Sequence, residues 1–228
     1  MNEALWLVML LVNFGMILLF FRLFGKIGLF IWVPIACIVA NIQVVKLVDL
    51  FGFSATLGNI VYASSFLVTD ILSEIYGKKE ATKAVKVGFL SLLSMTLLMT
   101  LALRFVPASD DFAQSSLATI FSIMPRIAGA SLVAYLISMF HDVWAYDFWR
   151  KRFPQDRMMW LRNNASTMIS QLMDSTVFTL LAFVGVYPSG ILWQIFWTTY
   201  LLKWVVAAAD TPFLYLARHW HQKGMIEQ

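Results

Sequence analysis

Seven apolar runs follow one another along this chain, at about 5–21, 27–45, 55–72, 85–105, 123–141, 167–186 and 191–209. Each is near the roughly 20 residues that a helix needs to cross the hydrocarbon core of a bilayer. Several, such as 85–103, are apolar all round, whereas a helix of a soluble bundle is apolar along one stripe. Composition points the same way: 60% of the 228 residues are hydrophobic and 13% are charged, against about 45–50% and about 25% in soluble domains. The expected fold class is an all-α integral membrane protein with seven spans. The first run begins almost at Met1, lacks a basic leader and has no small-residue cleavage site after it, so it reads as a retained span.

The connections are short, and their charges are asymmetric. One alternate set of loops, with the tail, holds Arg22, Lys26, Lys78, Lys79, Lys83, Lys86, Arg150, Lys151, Arg152, Arg157, Arg162, Arg218 and Lys223. The opposite set holds Lys46, Arg104 and Arg126, and Lys203 lies inside the last span. Basic residues favour the cytoplasmic side, so the N-terminus is expected outside and the C-terminus in the cytoplasm of a bacterial inner membrane. Trp144, Trp149, Trp160 and Trp193 fit interfacial belts. The net charge of +4 is spread over these loops and is not a nucleic-acid signal.

An ionised side chain at the bilayer centre costs about 2.5–3.5 kcal/mol on insertion scales, so such residues line polar cavities or pair with each other. The third run carries Asn59, Ser64, Ser65, Thr69, Asp70 and Glu74, and Asn59, Phe66 and Asp70 share one helical face. The fifth carries Ser131, Tyr135, Ser138 and Asp142, and the sixth Asn164, Thr167, Gln171, Asp174 and Ser175. The seventh holds Thr199, Tyr200, Lys203 and Asp210, and the second Asn41, Gln43 and Lys46. The economical arrangement turns these stripes onto one cavity, with Asp174 and Lys203 deepest and neutralising each other. Other roles stay open: Asp70, Glu74 and Asp142 near span ends serve equally as interfacial anchors, and span hydroxyls often bond their own backbone.

Several chemistries lack their residues. There is no Gly-rich phosphate loop, no G-x-S-x-G elbow and no H-E-x-x-H, so neither ATP hydrolysis nor an intramembrane hydrolase is expected, and no cofactor. His141, His219 and His221 do not form a metal-ligand set. Cys37, the single cysteine, reads as a packing residue. Ala36 and Ala40 form a small-xxx-small spacing that allows close helix contact.

The polar stretches carry a family resemblance. Residues 63–81, Ala-Ser-Ser-Phe-Leu-Val-Thr-Asp-Ile-Leu-Ser-Glu-Ile-Tyr-Gly-Lys-Lys-Glu-Ala, resemble the hallmark segment of the queuosine precursor transporter family, within the vitamin uptake transporters. Residues 160–178, Trp-Leu-Arg-Asn-Asn-Ala-Ser-Thr-Met-Ile-Ser-Gln-Leu-Met-Asp-Ser-Thr-Val-Phe, are similar to a second block, and 126–135 followed by His141-Asp142 to a third. The resemblance covers roughly residues 41–210. It implies a six-helix core like the substrate-binding subunits of energy-coupling-factor transporters, here at 25–217. Residues 1–24 would then be an added N-terminal transmembrane helix, and 218–228 a cytoplasmic tail. It also implies uptake of 7-deazaguanines such as preQ0, preQ1 or queuine.

The expected substrate-binding residues are Asn41, Asn59, Tyr62, Phe66, Asp70, Glu74, Asp142, Gln171, Asp174 and Lys203. A guanine-like ring shows two adjacent donors that one carboxylate can accept; Asp174 is the first choice, with Asp70 and Glu74 behind it. Asn41, Gln171 or Asn164 would meet the ring carbonyl or ring nitrogens. Phe66, Tyr62, Phe178 or Trp204 would sandwich the ring, and Lys203 would balance a buried carboxylate. Expected partners are the 7-deazapurine and membrane lipid, with no nucleic acid, and a homodimer is left open. The alternatives are a substrate-binding subunit that needs an energising module, docked through a face such as Ala36/Ala40, and, behind it, an intramembrane enzyme.

Overall fold

A computed structural model describes residues 1–152 and 159–226; the side chains of 139–140, 142–143, 146–147, 149–151 and 159–167 also lie outside the description. The chain divides into two compact units, Met1–Pro125 with Leu201–Gln228, and Arg126–Tyr200.

The first unit begins with α1 (Asn2–Gln43), which is broken at Gly25, where φ is 54° and ψ is −136°. A side chain would be strained there, and glycine is the residue that reaches such a conformation cheaply. The break folds the helix back on itself. Phe20 and Trp32 would stand about 18 Å apart along a straight helix, yet their rings are 5.4 Å apart. At the other end the Asn2 amide donates to the Asp49 carbonyl at 3.0 Å, and the Phe51 N–H donates to the Glu3 carboxylate at 3.1 Å. The start of α1 therefore meets the segment that follows its end, and the two halves run antiparallel. This agrees with two separate apolar runs at 5–21 and 27–45, joined by a sharper reversal than a loop over 22–26.

That following segment is a local departure from helix within a mostly helical chain. Residues expected as a connection and the start of the third span form an antiparallel hairpin, β1 (Leu47–Leu50) and β2 (Phe53–Thr56), with Leu47 opposite Thr56. Phe51 and Gly52, both at positive φ, make its turn. The helix α2 then starts at Asn59 rather than at 55 and runs to Ile71, continuing as a single π-helical turn, Leu72–Tyr76. Gly77, at φ 88°, separates it from α3 (Lys78–Ala102). A short helix, α4 (Gln114–Phe121), lies in what reads from sequence as an outer loop.

The core of this unit is built on both halves of α1, on α2 and on the later part of α7 (Ser189–Gln222). Contacts are closest where side chains are smallest. A Cβ on Gly58 would lie 2.2 Å from the Ala40 carbonyl oxygen, and one on Gly88 would lie 3.1 Å from Val33. Ala36 and Ala40 are buried in this core. They hold the chain's own helices together, so that face is not open to an external module.

On α3 the buried positions are Ala84, Gly88, Leu92 and Thr96, while Leu90, Leu93, Leu97, Leu98 and Leu101 are exposed. Small residues inward and leucines outward is the pattern of a helix that packs closely in a bilayer and faces lipid. Among the described residues, four helical stretches are long and apolar enough to cross a membrane: Asn2–Gln43, Lys78–Ala102, Gln114–Ser138, which joins α4 to the start of α5 (Met124–Arg152), and Ser189–Gln222. Met168–Phe183 is a shorter apolar helix.

The second unit holds most of α5 (Met124–Arg152), α6 (Met159–Phe183) and the start of α7. Arg126 donates from Nε to the Leu181 carbonyl at 2.7 Å, and from its guanidinium terminus to the Val184 carbonyl. It thereby satisfies carbonyls that the end of α6 leaves without helical partners. Phe183 is buried there, with its ring 5.6 Å from both Phe178 and Tyr187. The reversal to α7 turns at Gly185, where φ is 80°.

Candidate substrate-binding site

The first unit holds Asn41, Asn59, Tyr62, Phe66, Asp70, Glu74 and Lys203; the second holds Gln171 and Asp174. The side chain of Asp142, like that of Asn164, lies outside the described residues.

In the first unit the expected residues fall into two kinds. Some serve the scaffold. The Asn41 amide donates to the Cys37 carbonyl at 2.8 Å, one turn back on α1. The Asn59 amide donates to the Thr56 hydroxyl at 2.8 Å, which ties the first turn of α2 to the end of β2. Ser64, Ser65 and Thr69 bond back to the carbonyls of Val61, Tyr62 and Phe66. Glu74 forms an ion pair with Arg218 at 3.0 Å, in the open.

The others converge. The Lys203 ammonium, buried on α7, stands 5.3 Å from the centre of the Tyr62 ring. That ring meets Phe66 edge-on at 5.5 Å. Asp70 is one turn beyond Phe66 on the same face of α2. The arrangement is an aromatic platform with a cation at one end and a carboxylate at the other. Its partly buried rings suit the flat face of a heterocycle. Asp210, seven residues after Lys203 on the same face of α7, is buried and within electrostatic range of Asp70. Sequence spacing places it at the end of the seventh apolar run, two turns beyond Lys203.

In the second unit α6 presents Ser170, Asp174, Ser175 and Thr179, all buried. The carbonyl oxygen of Gln171 and the hydroxyl of Thr179 are buried and have no hydrogen-bond partner among the described residues. His141 meets the Ser170 hydroxyl through Nδ1 at 3.0 Å. Sequence spacing alone leaves His141 and Thr179 indistinguishable from packing residues. Among the described residues no group of three or more His, Cys, Asp or Glu could hold a metal ion.

Residues 56–217 match the family model described as "Putative vitamin uptake transporter". The chain is 46% identical over 217 residues to the "Probable queuosine precursor transporter" of Bacillus subtilis (strain 168), with 95% of each chain covered. It is 24% identical over 180 residues to the "Queuosine precursor transporter" of Escherichia coli (strain K12), covering 79% of this chain and 67% of that one. A "Probable queuosine precursor transporter" of Haemophilus influenzae is 26% identical over 178 residues, covering 78% and 62%. No solved structure matches the chain. These relatives are transporters, not enzymes, and the match extends across the helices that carry the polar residues described above. The chain belongs to the queuosine precursor transporter family, a group of the vitamin uptake transporters.

Proposed function

We propose that this protein takes up 7-deazaguanine precursors of queuosine, such as preQ0, preQ1 or queuine, across a bacterial inner membrane by alternating access. The observation that carries this reading is the Lys203–Tyr62–Phe66–Asp70 platform: a cation, two rings and a carboxylate inside apolar helices. Such groups are costly in lipid and are retained where a polar solute passes. On this reading Tyr62 and Phe66 stack on the ring. In the second unit, taken by itself, Asp174 and Gln171 are the candidate carboxylate and amide partners for a polar solute. The transporter has seven spans, the two halves of α1 counting as two, with the six-helix core following the first. The basic residues Arg22, Lys26, Lys83 and Arg218 gather where Lys26 pairs with Glu80 and Arg218 with Glu74, and this end faces the cytoplasm.

A strain that cannot make preQ0 tests this. Given the gene and a low external concentration of precursor, it should regain queuosine in its tRNA. Absence of rescue, with the protein present in the membrane, would count against uptake.

A further inference from the structure

The two ends of the first unit are fastened by different kinds of contact. At the end that carries the hairpin, the backbone does the fastening. The β1–β2 ladder closes there, the Leu57 N–H donates to the Lys46 carbonyl at 2.9 Å, and Gly58 is seated against the Ala40 carbonyl. At the opposite end side chains do it. Arg218 pairs with Glu74 at 3.0 Å, and Lys26 with Glu80 at 3.4 Å. The Tyr76 ring lies 5.6 Å from His221 and 5.7 Å from the Lys26 ammonium. The Arg22 guanidinium stands 5.2 Å from the centre of the Trp220 ring. Three segments meet there: the break in α1, the junction of α2 with α3, and the last turns of α7.

Arg218, Glu74 and Lys26 keep 51%, 46% and 44% of their side chains exposed. Ion pairs so open to water add little to stability and part easily. Each segment also carries a backbone irregularity at or next to its contacts. Gly25, at φ 54°, lies between Arg22 and Lys26. The π turn holds Glu74 and Tyr76, and Gly77, at φ 88°, follows it. In α7, Pro212 lies nine residues after Lys203 and six before Arg218. It has no N–H to donate to the Ala208 carbonyl, which weakens the helix at that point. Such interruptions are where hinges absorb rotation.

The same two helices carry the aromatic platform. Tyr62 and Phe66 precede the π turn, and Lys203 precedes Pro212. The Tyr62–Lys203, Glu74–Arg218 and Tyr76–His221 contacts advance together, so α2 and the later part of α7 run in the same direction. Parting the last two contacts frees the end of α7 from the π turn while Tyr62 and Lys203 stay together.

We propose that the Glu74–Arg218 and Tyr76–His221 contacts, with Lys26 against Tyr76, form the inner gate of this transporter, opened by a swing of α7 beyond Pro212. The proposal rests on the uptake reading above, which puts this end in the cytoplasm. It gives Glu74 a gating role in place of a substrate-binding one.

The experiment carries Glu74→Cys and Arg218→Cys together in the full chain, in proteoliposomes, and follows entry of radiolabelled preQ1. An Arg–Glu pair reaches farther than a disulfide, so the two thiols are joined with a short, reducible bis-methanethiosulfonate reagent. Bridging should reduce entry to the level of protein-free vesicles, and reductant should restore it. Binding of preQ1 to the bridged protein, by titration, should be unchanged, because the platform is intact. Entry that continues through the bridged protein overturns the proposal. So does loss of binding together with entry, which would mean a damaged site and not a closed gate. Equal inhibition of either single variant by the reagent, or failure of the reagent to bridge the pair, overturns it as well. Absence of entry through the untreated wild type would instead bring down the uptake reading.

Discussion

At the scale of single residues, side chains of the same type do different work depending on what they touch. Asn41 and Asn59 donate to neighbouring scaffold atoms, whereas the Gln171 carbonyl oxygen is buried without a hydrogen-bond partner among the described residues. A buried acceptor with no donor is costly, and a ligand N–H would relieve that cost. Gln171→Ala should therefore weaken binding of a 7-deazaguanine by about 1–3 kcal/mol with little loss of expression, measured by titration of purified protein. Tyr62 separates two contributions. Tyr62→Phe keeps a ring beside Lys203 and Phe66 and should bind almost normally. Tyr62→Ala should lose about 0.5–1.5 kcal/mol of ring contact, read in the same titration. The α2 face was legible because Asn59, Phe66 and Asp70 recur at helical spacing. The partners of these residues were not. Nothing in spacing distinguishes Glu74 as the partner of Arg218, because the contact crosses between distant segments.

At the scale of elements, the apolar runs mark most of the helices, and the departures from them have local causes. The hairpin at 47–56 leaves no mark in the sequence because its strands are four residues each, too short for an alternating pattern to stand out. The π turn at 72–76 has no sequence signature, since its residues read as ordinary helix. The fold-back of α1 rests on Gly25, whose conformation excludes other residues at modest cost. Gly25→Ala should destabilise the protein by about 1–3 kcal/mol, the usual range for a strained backbone position. Gly58→Ala should cost at least as much, because its Cβ would meet the Ala40 carbonyl oxygen at 2.2 Å and two helix ends would have to part. Both effects would appear as a lower melting temperature in detergent, and Gly52→Ala, with open space around it, should show only the smaller cost of its positive φ.

At the scale of the whole molecule, the membrane reading rests on a reversal of the soluble pattern. Helices such as α3 bury alanine and glycine and expose leucine, while carboxylates, a lysine and amides lie within apolar segments. The chain belongs to a family of transporters, and Ala36 and Ala40 lie buried in the core of the first unit. The central claim is that this single chain carries 7-deazaguanines through a bilayer. The most direct measurement reconstitutes the purified protein alone in proteoliposomes and follows entry of a radiolabelled 7-deazaguanine. The expected result is saturable entry above that of protein-free vesicles, abolished by Asp174→Asn. Entry no faster than through bare lipid, from protein shown to be folded and inserted, would contradict it.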